Sequence, residues 1–188
     1  LPYAPEGQRI ALDFLIWAPP LFGPASFAGV GLLGLSAAWK EHPADSGALQ
    51  LLGSRKLTLP LAKTRAYLFL ISLGILAAVV SSVFDHARNG FATPWFWLPV
   101  AIGVFSVVAS AVLGSLESPT RKDILTYVAF MGALIVVGLV GTLLHVNNDL
   151  TADFQIVGER FLRGAPVLAP LQFANLAALG LIVLMKPD

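Results

Sequence analysis

The sequence predicts an all-α, polytopic integral membrane bundle of about five transmembrane helices, with an amphipathic helix lying in the outer interface and the whole of 1–188 forming one domain. Three observations carry this expectation. Of the 188 residues, 56% are hydrophobic and 12% charged, and the mean hydropathy is +0.77; soluble domains carry about 25% charged residues, so lipid is the expected solvent. Five apolar runs, near 20–39, 64–84, 94–116, 124–146 and 166–185, are each long enough at about 1.5 Å per residue to cross a hydrocarbon core of about 30 Å. Inside lipid their backbone groups must be satisfied within the segment, so each should be helical. The connections also alternate in basic content, which sets an orientation.

Taken in order, the first 19 residues precede the first run. Pro19, Pro20 and Pro24 interrupt the apolar pattern, and a proline inside a helix removes a hydrogen bond and clashes with the preceding turn. Residues 1–19 therefore read as an N-terminal surface helix, with the first span opening near Pro20, where proline is tolerated. The alternative is one long kinked helix from Ile10, which would bring Asp13 to the membrane margin and require a partner for it. The chain opens on Leu1 rather than Met, which is expected where upstream residues are cleaved or left out, and no secretory signal pattern is visible.

The 40–63 connection contains Pro43, Gly47, Gly53, Pro60 and the short cluster Leu49-Gln50-Leu51-Leu52. One short helix is expected there, held by a partner, lipid or a neighbouring loop, because a structureless loop of this length is unusual. Within the spans, Gly74, Ala78 and Ser82 in the second, Gly103, Ser106, Ser110 and Gly114 in the third, and Gly132, Gly138 and Gly141 in the fourth read as close-packing surfaces. Trp17, Trp39, Trp95 and Trp97 fall near the expected interfaces, as an aromatic belt does.

Lys40, Arg55, Lys56, Lys63, Arg65, Arg121, Lys122 and Lys186 fall on one side of this arrangement; Arg9, Arg88, Arg160 and Arg163 fall on the other. The positive-inside rule then places the N-terminus outside and the C-terminus in the cytoplasm, in a membrane of the bacterial inner-membrane type. Between the fourth and fifth runs, Leu150, Phe154, Val157 and Phe161 share one helical face and Asp153, Glu159, Arg160 and Arg163 the other. The segment 149–163 therefore reads as the outer amphipathic helix, a lid over the helix ends.

The chemistry-bearing residues are few. The chain has no cysteine, which excludes disulfides, iron–sulfur clusters and thiolate metal sites. A net charge of +1 offers no field for nucleic acid. The stretch VFDHARNG places Asp85 and His86 at the outer end of the second run, and His145 ends the fourth at the same depth, while His42 lies on the opposite side. Two imidazoles on parallel helices suit haem iron or a divalent metal, with Asp85, Asp149, Asp153 or Glu159 completing a mixed nitrogen–oxygen set. The plainer expectation is that Asp85, His86 and Asn147-Asn148-Asp149 cap helix ends near water. Ser82 and His86 are four apart and within reach of one another. Gln172 and Asn175, three apart, should share a polar intramembrane face, for interhelical hydrogen bonds or for a solute or quinone.

No metalloprotease, phosphate-loop or nucleophile-elbow motif is present, so the chain reads as non-catalytic in itself. The expected role is an accessory or structural subunit of a larger membrane complex, in contact with lipid and other membrane-protein subunits, with a redox version in which the outer histidine pair holds haem or a metal. The competing role is a small-solute carrier or pore using Gln172 and Asn175. No acidic or lysine side chain sits mid-membrane, which counts against ion coupling.

Overall fold

The computed structural model describes residues 22–51, 55–150, 155–163 and 166–185. The expected surface helix of 1–19, with Arg9, Asp13 and Trp17, lies outside these residues, as do Asp153, Phe154 and Lys186. The described chain is mostly helical: α1 (Phe22–Ala37), a small sheet of β1 (Lys40–Glu41), β2 (Ala48–Gln50) and β3 (Lys56–Thr58), then α2 (Lys63–Ala87), α3 (Leu98–Ser115), α4 (Arg121–Asp149), α5 (Gly158–Arg163) and α6 (Leu168–Ile182). A 3-10 turn, Pro94–Trp97, leads into α3.

Among the described residues, three helices are long and apolar enough to cross a membrane: Lys63–Ala87, Pro94–Ser115 and Arg121–Asp149. The first and fifth runs form α1 and α6, both apolar, with 16 and 15 residues described. At about 1.5 Å per residue, the described part of each falls short of a core of about 30 Å.

The helix expected in the 40–63 connection is instead a three-stranded antiparallel meander, with Lys40 opposite Gln50, and Leu49 opposite both Glu41 and Leu57. Leu49 is buried beneath it. The reason lies in the turn between β1 and β2. Gly47 sits at φ +75°, and a Cβ there would come within 2.6 Å of the Leu59 carbonyl oxygen. Only glycine fits both constraints. The Glu41 carboxylate accepts from the backbone N–H of Gly47 and of Lys63, at 2.5 and 3.2 Å, tying the meander to the start of α2.

Helices α2, α3, α4 and α6 close a ring in which each packs on the next: α2 on α3, α3 on α4, α4 on α6 and α6 on α2. Helices α2 and α4 therefore lie on a diagonal. Leu68, Ile71, Ile75 and Val79 of α2 meet Tyr127, Met131 and Leu134 of α4 and Phe173, Leu176 and Ala177 of α6 in one core. The small stripe of α3 is buried at Gly103, Ser106, Ser110 and Gly114, as a close-packing surface requires. Its hydroxyls return to the backbone: Ser106 Oγ donates to Ile102 O and Ser110 Oγ to Ser106 O, both at 2.8 Å, and Ser72 of α2 donates across to Val107 O at 3.0 Å. Of the α4 glycines, Gly138 and Gly141 admit α6, but a Cβ at Gly132 would meet nothing within 4 Å among the described residues. Gly132 therefore takes no part in this packing. The perimeter carries the large exposed apolar side chains, among them Leu73, Leu125, Val136 and Leu143. Small residues at the close helix contacts and large apolar side chains on the exterior suit a bundle surrounded by hydrocarbon.

The helix ends have identifiable causes. Helix α4 starts on a capping box in which Thr120 Oγ1 accepts from Asp123 N–H and the Asp123 carboxylate accepts from Thr120 N–H. Arg65, near the start of α2, donates to the last carbonyls of α3, Gly114 O at 2.9 Å and Ser115 O at 3.0 Å. Replacing Arg65 by alanine should therefore lower stability by about 1–2 kcal/mol, with lysine restoring only part because it lacks the planar fork. Thermal unfolding in detergent reads both.

One buried group offers a second test. The Tyr127 hydroxyl is buried and has no hydrogen-bond partner among the described residues. It occupies the space left by Gly180, where a Cβ would stand 2.5 Å from it. Tyr127→Phe should therefore leave stability unchanged or raise it by up to about 1 kcal/mol. Gly180→Ala should destabilise, and the double variant should recover most of that loss; no recovery would contradict this packing.

Candidate functional site

The end of the ring at which α2 and α4 finish is not filled. A cavity of about 280 Å³ opens there, walled by α2, the Pro94–Trp97 turn and start of α3, α4 and α6. Its floor and sides are apolar, with Ala78, Leu98, Val136, Val140 and Phe173 among them. Its polar lining comprises Ser81, Ser82, Asp85, His86, His145 and Gln172, together with the indole of Trp95. The cavity runs along α2 from Ala78 to His86, about 12 Å at about 1.5 Å per residue.

His86 reaches this position because α2 does not stop at Phe84. It continues to Ala87, so Asp85 and His86 occupy its last turn rather than a cap beyond it. The reversal that follows uses backbone alone: Asn89 N–H and Phe91 N–H both donate to His86 O at 3.1 Å, with Gly90 at φ +61°. This reversal brings the Pro94–Trp97 turn back over the helix end. Phe96 then stacks on the His86 ring at a centroid distance of 4.7 Å and an interplanar angle of 3°. Phe91 meets the same ring edge-on at 6.0 Å and itself stacks on Trp97 at 4.2 Å. The His86 Nδ1 lies 3.3 Å from Ser82 Oγ, one turn back. Ring plane and Nδ1 are thus both fixed.

His145 is placed by α4, which runs through Asn147 and Asn148 to Asp149 instead of ending before them. Arg160 caps this end: its guanidinium donates to Leu150 O at 2.9 Å and Asn148 O at 3.0 Å, where a cation also faces the negative end of the helix. The amphipathic helix expected over 149–163 is accordingly reduced to α5, six residues from Gly158, with 151–154 outside the described residues. The run fails as one helix because α4 takes its beginning and Arg160 is drawn back onto α4. The His145 Nδ1 lies 3.1 Å from the carbonyl oxygen of Pro166, just before α6.

The structure thus brings Asp85, His86, His145 and Gln172 to one cavity from three helices. Asp85 and His86, although adjacent in sequence, both line it because the cavity is broad; Asp85 also pairs with Arg88 at 3.6 Å. Asp149 is buried elsewhere and is not part of the lining, and Asn175 is exposed on the perimeter. Gln172 and Asn175 therefore do not act as one polar face. Their separation of about 60° around the helix is enough to split them, once Ala174 is pressed against Gly138. His42 is exposed, away from this end. Among the described residues no group of three or more histidine, aspartate or glutamate side chains is arranged to hold a metal ion. Phe96 and the Pro166 carbonyl, which orient the two imidazoles, carry no signal of their own in the sequence; the four-residue spacing of Ser82 and His86 does.

Compared with protein-family models, curated proteins and solved structures, the chain finds no match.

Proposed function

We propose that the chain is an integral membrane protein acting as an accessory subunit of a larger membrane assembly, and that its outer cavity holds a small ligand between His86 and His145. One observation carries the reading. Two imidazoles from diagonal helices line a single, mostly apolar cavity, and each has its Nδ1 engaged by a neighbour. Fixing one ring nitrogen is how proteins aim the other at a ligand.

Five crossings belong to this reading, with α1 and α6 accompanying the three long helices. The basic surplus in the connections at one end supports an outer N-terminus and a cytoplasmic C-terminus. The exposed apolar perimeter supports burial against lipid and against other subunits. Cysteine substitutions at Ser46 and Asn89, probed with a membrane-impermeant thiol reagent on intact cells, test the orientation: only Asn89→Cys should label.

A redox form of this role would use His86 and His145 to hold haem, and it stands only where both imidazoles present a lone pair. The test is a visible spectrum, metal analysis and solvent extraction of the gently solubilised complex. A bound molecule should be present in the parent and in His42→Ala, and lost from His86→Ala and His145→Ala. Equal loss from all three variants would overturn the reading.

A further inference from the structure

We propose that the outer cavity is selective for a flat, largely apolar molecule that carries both a hydroxyl donor and an oxygen acceptor, the chemistry of a quinol head group. This rests on the cavity being a ligand site, as argued above.

The hydrogen bonds assign the two imidazoles opposite roles. The His145 Nδ1 faces the Pro166 carbonyl at 3.1 Å. A carbonyl oxygen only accepts, so Nδ1 carries the proton and Nε2 presents a lone pair. The His86 Nδ1 faces a hydroxyl, Ser82 Oγ, at 3.3 Å. Other helical hydroxyls donate to a carbonyl oxygen, Ser106, Ser110 and Thr142 to the one four residues back and Ser72 to Val107 O. Ser82 makes no such bond among the described residues, and a hydroxyl proton left against an apolar wall is costly. Ser82 therefore donates to His86 Nδ1, which leaves the His86 proton on Nε2. One imidazole accepts and the other donates.

The space between them sets the shape. The cavity that both imidazoles line is about 280 Å³, which limits the guest to one small ring system. The parallel stack of His86 and Phe96 supplies a flat wall. Below it, Phe173 and the half-exposed Val136 and Val140 continue as an apolar groove, open at the bundle's perimeter, toward the bilayer centre, suited to an alkyl tail. A wholly apolar guest would leave both Nε2 atoms unsatisfied. Haem iron needs a lone pair from each imidazole and finds it, in this tautomer, only on His145.

The test is isothermal titration of the purified full chain in detergent with three probes: a decyl-substituted benzoquinol, the corresponding quinone, which only accepts, and the quinol dimethyl ether, which has no hydroxyl. The quinol should bind about tenfold more tightly than either of the others, the worth of one hydrogen bond. His145→Ala should bring the quinol to the quinone's level and leave the quinone unchanged, whereas His86→Ala should weaken both. Equal affinity of quinol and dimethyl ether for the parent protein would overturn the proposal without reference to any variant. Equal weakening of quinol and quinone by His145→Ala would overturn the donor–acceptor assignment. Stoichiometric haem lost with either histidine, and no quinol binding, would overturn the ligand class and leave the ligand site standing. No bound molecule and no probe binding would overturn both.

Discussion

Gly138→Ala is expected to destabilise the bundle by about 1–3 kcal/mol, the range of overpacked core substitutions. A Cβ at this position would stand 2.7 Å from Ala174 N and 2.8 Å from Pro170 O. Both are backbone atoms of α6, so no rotamer change relieves the contact and the two helices must separate. Gly132 is the internal control. It lies on the same helix, and a Cβ placed there meets no described atom within 4 Å; alanine should be neutral or stabilise by up to about 1 kcal/mol through helix propensity. Thermal unfolding of the two variants in the same detergent measures the difference. Similar melting temperatures would show that α4 and α6 do not approach at Gly138. The consequence reaches function, because Pro170 and Gln172, which line the cavity, are set by the same helix contact.

His145→Ala has the largest expected effect on binding. On the proposed assignment it deletes the lone pair that would meet the ligand, together with the bond that ties the end of α4 to the start of α6 through Pro166 O. The loss should be about tenfold, the worth of that hydrogen bond. His86→Ala should cost a comparable amount and also strand the face of Phe96, which now stacks on an imidazole. His42, exposed at the far end, should change nothing. Binding isotherms alongside melting curves separate a lost contact from lost fold: reduced affinity with an unchanged melting temperature supports the site, and parallel losses in both argue for general disruption.

How far the sequence anticipates this molecule differs from element to element. Helices α2 to α4 are legible because an unbroken apolar run leaves the backbone no partner but itself, and their boundaries fall within a few residues of those expected. The small-residue stripe of α3 is legible because the four-residue spacing puts one side chain per turn on a single line. The meander is not. Its strands are two or three residues long, and its determinants are Gly47 at positive φ and a Glu41 carboxylate 22 positions from one of its partners, which no periodicity reports. The cavity is intermediate. His86 and His145 are suggested by equal depth on parallel helices, yet which residues join them depends on rotation about each axis. Gln172 turns inward and Asn175 outward, and a three-residue spacing cannot decide that before the Gly138–Ala174 contact is known. Arg160, read as one of several charges on a solvated face, instead caps α4.

The central claim is that the outer cavity holds a molecule through His86 and His145. The most direct measurement is solvent extraction and mass spectrometry of small molecules bound to the gently solubilised parent protein, with His42→Ala, His86→Ala and His145→Ala purified side by side. The expected result is one hydroxylated, flat-ringed species in stoichiometric amount in the parent and His42→Ala, and its loss from the other two while their melting temperatures hold. A parent protein that carries no such species, or one retained equally by all three variants, would contradict the claim.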